Sequence, residues 1–295
     1  MIELKHCDNL ELLKSIEDNT VDLIYCDILY GTGRDFGDYK DLKANRQVIE
    51  EHYIPRLKEM HRVLKDTGSI YLQMDTKINH WLRCIMDDVF GYDNFRNEIV
   101  WKRVNSVGSS KSMFQSIPNV TDRVIFYTKT KDYNLKATKV KYQKSTLKKY
   151  NQKDNKGFYC WQPLKTASKE KIELLKSNNE FQDKGLFKYD KYKLYLDINK
   201  GVIVGDLWAD LSMVSQTGVE RTGYQTQKPK ALLERIIKAS SNEGDLVCDF
   251  YGGSFTTAVV CQDLNRNFLG CDINPKAVEL GYKRLNEAAK TPKLF

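Results

Sequence analysis

Short apolar runs alternate with amphipathic stretches near both ends of the chain, and the middle loses that rhythm. VDLIYC, from residue 21, and GSIYLQM, over 68–74, read as strands. Apolar positions at helical spacing predict helices over roughly 46–65 and 77–90. The alternation returns as helix 229–241, strand 245–250, helix 255–264, strand 267–272 and helix 275–288. Such alternation marks a parallel sheet covered by helices, so both ends predict an α/β fold. From Ser106-Val107-Gly108-Ser109-Ser110 onward the chain is polar and rich in Lys and Tyr, with a strand at 123–128 (RVIFYT), whose membership of the α/β sheet stays open, and a short helix near 168–177. The simplest organisation is one α/β domain built from 1–103 and 203–295, interrupted by an insert over 104–202.

Charge sharpens that division. The net charge is +8, yet residues 129–200 alone carry 19 Lys+Arg against 8 Asp+Glu, and the rest of the chain is slightly acidic. The same segment holds eleven aromatics, among them Tyr133, Tyr142, Tyr150, Phe158, Tyr159 and Trp161. Basic residues interleaved with aromatics suit a polyanion, most simply nucleic acid; the plainer reading is a solvated lysine-rich insertion. No apolar run approaches the roughly 20 residues needed to span a bilayer, and MIELKHCDNL lacks the layout of a signal peptide. The expectation is therefore a cytoplasmic protein without membrane contact. Seven cysteines without paired CxxC spacing argue against a disulfide framework or a structural zinc site, and are expected to be small buried hydrophobes.

Open α/β sheets bind ligands at the carboxyl ends of their strands. Three aspartates fall there: Asp27 in YCDILYGTG, Asp249 in DLVCDFYGGSFTTA and Asp272 in NFLGCD. A glycine pair, Gly252-Gly253, follows the second, with Ser254, Thr256 and Thr257 placed to cap the next helix. Asp272 comes 23 residues after Asp249, where an acid accepts ribose hydroxyls. The spacing suits a nucleoside and is not GxGxxG, so a nicotinamide dinucleotide fits poorly. The bland alternatives are a turn aspartate at 27 and an ordinary βαβ unit around 249.

Several segments together resemble the β class of amino-methylating DNA methyltransferases. DILYGTG is similar to their Asp-Pro-Pro-Tyr motif. TQKPKALLERIIKASSNEGDLVCDFYGGSFTTA is similar to the segment leading into their S-adenosyl-L-methionine (AdoMet) loop. NEIVWKR and DRVIFYTK resemble stretches flanking the catalytic half, and the order of motifs is that of the β class. The resemblance covers about two thirds of the chain and fails in the insert.

It implies a Rossmann-like methyltransferase fold, with helices on both faces of a mostly parallel twisted sheet and 104–202 as a target-recognition region. It implies Asp27 as catalytic acid, Ile28 as donor of a backbone carbonyl and Tyr30 as the aromatic that stacks on the target base. AdoMet would be held by Asp8, Asp27, Lys228, Pro229, Asp249, Tyr251, Gly252, Gly253, Ser254, Thr256 and Asp272, with no metal. Lys228 and Pro229 would pack beside its methionine end. The implied reaction methylates the N6 amine of a flipped-out adenine in double-stranded DNA, in a restriction–modification setting, with a cognate restriction endonuclease and a homodimer as possible partners. The alternatives are a DNA-binding homologue with impaired catalysis, or a methyltransferase acting on cytosine N4 or on RNA. Two departures stand out. Ile28 and Leu29 replace two prolines, which should leave the loop less stiff, and Phe255 replaces the last glycine of the AdoMet loop, where a bulky side chain could crowd the cofactor or require an unfavourable φ.

Overall fold

A computed structural model describes residues 1–35, 40–104, 117–178, 181–183, 190–197, 199–215 and 217–290. The Ser106–Ser110 stretch lies outside the described residues. The chain divides into two compact units, Met1–Thr138 with Gly205–Phe295, and Lys139–Val204.

The larger unit is built on an eight-stranded sheet. Its strands are β1 (Ile2–His6), β2 (Val21–Asp27), β3 (Leu64–Met74), β4 (Phe95–Lys102), β5 (Thr121–Thr128), β6 (Leu207–Trp208), β7 (Leu246–Asp249) and β8 (Asn267–Asp272). Across the sheet they run β1-β8-β7-β2-β3-β5-β4-β6. Neighbours from β1 to β3 are parallel, β5 is antiparallel to both β3 and β4, and β6 is parallel to β4. The helices are α1 (Asn9–Ser15), α2 (Arg46–Val63), α3 (Asn79–Phe90), α4 (Lys230–Ser240), α5 (Thr256–Asp263) and α6 (Pro275–Lys290). This is the mostly parallel α/β sheet that the alternation of strands and helices implied.

The central strands are apolar in nearly every position because both faces are covered. Leu23, Ile24, Cys26, Ile70, Leu72, Val247 and Cys248 are all fully buried. The strand at 123–128 begins two residues earlier than expected and hydrogen-bonds into this sheet, the placement left open for it, and the smaller compact unit begins at Lys139. Cysteines 26, 160, 248, 261 and 271 are buried as expected; Cys7 is half-buried and Cys84 is exposed, which corrects the expectation for those two.

Within the smaller unit, Gln152–Asp154, Gly157–Pro163, Asp190–Tyr195 and Phe181–Asp183 form an antiparallel sheet in that order. The helix expected near 168–177 is Lys169–Ser177, with Ser168 as its cap and Leu175 buried. Lys193 lies over the rings of Tyr159 (4.6 Å) and Trp161 (5.9 Å) and bonds Asp154 at 2.7 Å. Val202–Ile203 pairs with Lys139–Val140, so the unit begins and ends on neighbouring strands. Among the described residues no helix is long and apolar enough to cross a membrane.

Candidate active site

Three adjacent strands, β8, β7 and β2, end in Asp272, Asp249 and Asp27, so the sheet order collects the three aspartates on one edge. A cavity of about 920 Å3 opens there. Asp8, Asp27, Ile28, Tyr30, Lys228, Tyr251, Gly253 and Asp272 line it. Asp249, Gly252, Ser254 and Thr256 line an adjoining recess of about 30 Å3. Pro229 stands apart from both, buried as the cap residue of α4.

At the Asp27 end, Tyr30 Oη donates to Asp27 Oδ1 at 2.7 Å, and the Lys228 ammonium bonds the other carboxylate oxygen. Burial holds the Asp27 carboxyl above the usual carboxylate range, and the charge of Lys228 opposes that rise. The Lys228 ammonium also lies 5.4 Å from the Tyr30 ring centre. The loop after β2 is tightly held without the two prolines. Ile28 N–H donates to the Gln73 carbonyl at 3.1 Å, and Tyr53 Oη donates to the Leu29 carbonyl at 3.0 Å. Asp41 accepts from Gly31 N and Thr32 N at 3.1 and 2.7 Å. A proline at 28 would forfeit the first of these bonds.

At the other end, Asp272 accepts from Gly253 N at 2.7 Å and from Asn274 N at 2.8 Å. Gly253 has φ +49°, so the backbone favours glycine, although a Cβ there would meet the Tyr224 ring at an ordinary contact distance of 3.4 Å. Asp8 caps α1 through Leu10 N at 2.8 Å, and its second oxygen takes Arg56 at 3.0 Å. Arg56 also donates to Asn9 at 2.6 Å. Asp249 is buried, accepting from Thr257 Oγ1 at 2.6 Å and Tyr251 N at 3.0 Å.

Phe255 shows the unfavourable φ expected of it and, lining neither the cavity nor the recess, does not show the expected crowding. It adopts φ +52°, and the ring turns away from the cavity into the core, fully buried and edge-on to Phe268. It fills a slot between two glycines: a Cβ on Gly252 would lie 2.3 Å from the ring, and one on Gly281 would lie 2.8 Å from it. Arg284 braces the turn through the Ser254 carbonyl (2.6 Å) and Thr256 Oγ1 (2.8 Å). Burying a phenyl ring outweighs a left-handed residue, by about 3–5 against 1–2 kcal/mol. Phe255→Gly is therefore expected to destabilise the protein by about 2 kcal/mol, read from urea unfolding. A stability gain would show that the backbone strain dominates.

Asp249 and His52 pull stability in opposite directions with pH. Burial pushes Asp249 up to about 7 and His52 down to about 4. Asp249 holds its proton more readily when folded, so its stabilising contribution is complete below pH 3.8, its ordinary value, and is lost as pH rises towards 7. His52 protonates more readily when unfolded, so its contribution is complete above 6.5 and lost as pH falls towards 4. Asp249→Asn removes only the first. Its melting temperature is expected to rise relative to the parent between pH 4 and 7, as thermal scans would record; a constant difference would count against this assignment.

Three residues of this edge escaped the reading of the sequence: Gln73, Asp122 and Arg103. Asp122 is the second residue of β5, and because β5 runs antiparallel to β3 its start lies beside the carboxyl ends of β3 and β2. The one available signal was its place at the head of DRVIFYTK.

A family model described as DNA methylase, for N6 and N4 enzymes, matches residues 21–283. The chain belongs to this DNA methylase family. The methylase is 28% identical to Type II methyltransferase M.HpaI of Haemophilus parainfluenzae, over 95% of this chain and 73% of that one. It is also 28% identical to DNA adenine methyltransferase YhdJ of Escherichia coli (strain K12), over 96% and 82%. Among solved structures, the M1.HpyAVI–SAM complex matches with TM-score 0.57 and 19% identity, covering 97% of the methylase and 100% of that chain. The cytosine-N4-specific PvuII DNA methyltransferase matches with TM-score 0.61 and 14% identity, covering 99% and 87%. These two likenesses concern the fold.

Proposed function

We propose that this DNA methyltransferase moves a methyl group from AdoMet to the N6 amine of an adenine flipped out of duplex DNA. The observation that carries the reading is a single cavity whose wall includes both Asp272 and the Asp27–Tyr30 pair. Its 920 Å3 is at the upper end of ordinary ligand pockets, enough for a nucleoside ligand with a base beside it. Asp272, Gly253 and Asp8 suit the nucleoside end. AdoMet supplies the electrophilic methyl group when bound.

An exocyclic amine is a poor nucleophile because its lone pair is delocalised into the ring. Asp27 accepting one N–H, and the Ile28 carbonyl accepting the other, favour a pyramidal nitrogen with its lone pair free. The N–CH3 bond would form in line as the S–CH3 bond breaks, leaving S-adenosyl-L-homocysteine, and the surplus amine proton would depart late, to solvent; Asp27 stabilises the positive charge that develops on the nitrogen until then. Tyr30 offers a π face to the base, worth on the order of 1–3 kcal/mol. Reaching the amine requires extruding the base from the duplex. Within the insert, we assign Lys139–Val204 to DNA contact.

Adenine is favoured by an aspartate at 27, where the resembled cytosine-N4 enzymes usually carry serine, and by the adenine specificity in the name of YhdJ. The fold likeness to a cytosine-N4 enzyme keeps that base as the second reading. The Type II name of M.HpaI supports a restriction–modification setting with a cognate nuclease. Tritiated-methyl transfer from AdoMet to duplex DNA, followed by nucleoside analysis, tests the proposal. N6-methyladenine is the expected product. N4-methylcytosine would give the second reading, and absence of transfer would overturn both.

A further inference from the structure

A buried polar chain runs behind the Asp27 carboxylate, and its far half has no role in the proposed reaction. Tyr30 Oη lies 2.7 Å from Asp27 Oδ1 and 3.0 Å from Asp122 Oδ2, yet a phenol has one proton to donate. Each carboxylate has its own cation. Lys228 bonds Asp27, and Arg103 Nε stands 3.0 Å from Asp122 Oδ1, an ion pair without hydrogen-bond alignment. Asp122 is 1% exposed and Gln73 is fully buried. Gln73 is itself oriented: Tyr25 Oη donates to its carbonyl oxygen at 2.7 Å, which turns its amide N–H to Asp122 Oδ2 at 2.9 Å. Asp122 is thus fixed from two sides against a hydroxyl that it shares.

We propose that Asp122 is a positioning residue that acts through Tyr30. By drawing part of the hydroxyl proton away from Asp27, it leaves Asp27 Oδ1 with hydrogen-bonding capacity for the target amine. The shared proton also fixes the Tyr30 hydroxyl, and with it the plane of the ring. This inference rests on the proposed role of Asp27.

The groups facing Asp27 are Lys228, Tyr30, Asp122, Asp249 and Tyr25. In Asp122→Asn, the neutral amide is a weaker acceptor in either orientation, so Tyr30 donates more fully to Asp27. The titration of the Asp27 carboxyl, followed by 13C NMR in the full chain, reads this directly. Asp122→Asn is expected to lower the Asp27 midpoint by about one pH unit. Loss of the Asp122 charge alone would act equally with or without the Tyr30 hydroxyl. In a Tyr30→Phe background the shift is therefore expected to fall to half or less. Equal shifts in the two backgrounds would overturn the proposal.

Gln73→Met removes a competing donor from the shared Asp122 oxygen and is expected to move the Asp27 midpoint up; a downward move or no move would also overturn it. In methyl-transfer assays, Asp122→Asn is expected to reduce kcat about tenfold, with the acidic limb moved to lower pH and AdoMet affinity within about twofold. Parallel loss of AdoMet affinity would mark a merely structural role. Methyl transfer surviving Asp27→Ala would defeat the role of Asp27 itself, while the NMR comparison still decides whether Asp122 acts through Tyr30.

Discussion

Asp27→Ala is expected to lower methyl transfer to DNA by about a thousandfold while changing AdoMet affinity by less than about threefold. The asymmetry follows from the geometry. Asp27 lies at the Tyr30 end of the cavity, whereas the glycine turn is bonded to Asp272 and the Asp8 carboxylate to Arg56, and none of these contacts involves Asp27. Alanine removes the acceptor for the amine and also leaves the Lys228 ammonium, which is largely buried, without its counter-ion. Asp27→Asn separates the two effects by preserving shape. It is expected to retain more folding stability than alanine and to lose nearly as much activity. Titration calorimetry with AdoMet, beside a methyl-transfer assay, checks both parts. Equal loss of binding and transfer would make Asp27 a structural residue.

The second large effect concerns salt. Residues 139–204 contain 16 lysines, no arginine and 7 acidic residues, so the excess charge of the protein is concentrated in this unit. Lysine meets phosphate as a point charge and lacks the planar fork with which arginine reads guanine bidentately. The unit is therefore expected to contribute mainly to backbone attraction. If about six phosphates are neutralised, affinity for duplex DNA should fall roughly a thousandfold between 50 and 200 mM salt. Fluorescence anisotropy over that range measures the slope. Replacing Lys148 and Lys149 by glutamine is expected to reduce the slope by up to about two, and to leave AdoMet affinity unchanged. A slope near zero would remove this unit from DNA binding.

Much of the fold was legible because buried parallel strands and amphipathic helices imprint strong periodicities. The helix predicted over 46–65 is Arg46–Val63, and the strand predicted over 267–272 is Asn267–Asp272. The short edge elements were not seen: Ile2–His6 has only five residues, and Asn9–Ser15 has seven. The small sheet of 139–204 escaped because its strands are short and polar, with stability that comes from cross-strand pairing rather than from alternation.

At the candidate site, the rule that ligands gather at strand ends found Asp27, Asp249 and Asp272. The same rule passed over Asp122, since reversal of β5 brings a strand beginning to that edge. Lys228 was expected beside the methionine end of a cofactor; it lines the cavity, and its ammonium also pairs with Asp27, a contact the sequence did not suggest. Only tertiary structure could bring together two residues 201 positions apart. Phe255 breaks a local rule for a non-local reason: its ring needs the space left by Gly252 and Gly281, which are 3 and 26 residues away along the chain.

The pairing of Val202–Ile203 with Lys139–Val140 has an evolutionary consequence. An insert whose first and last strands are hydrogen-bonded to each other keeps its ends about 5 Å apart whatever lies between them. Length, charge and aromatic content can then drift or be exchanged wholesale without changing the gap that the host chain must bridge. If the unit contacts DNA as proposed, the strength of that attraction can be retuned by swapping a cassette, and the sheet edge carrying Asp27, Asp249 and Asp272 need not change with it.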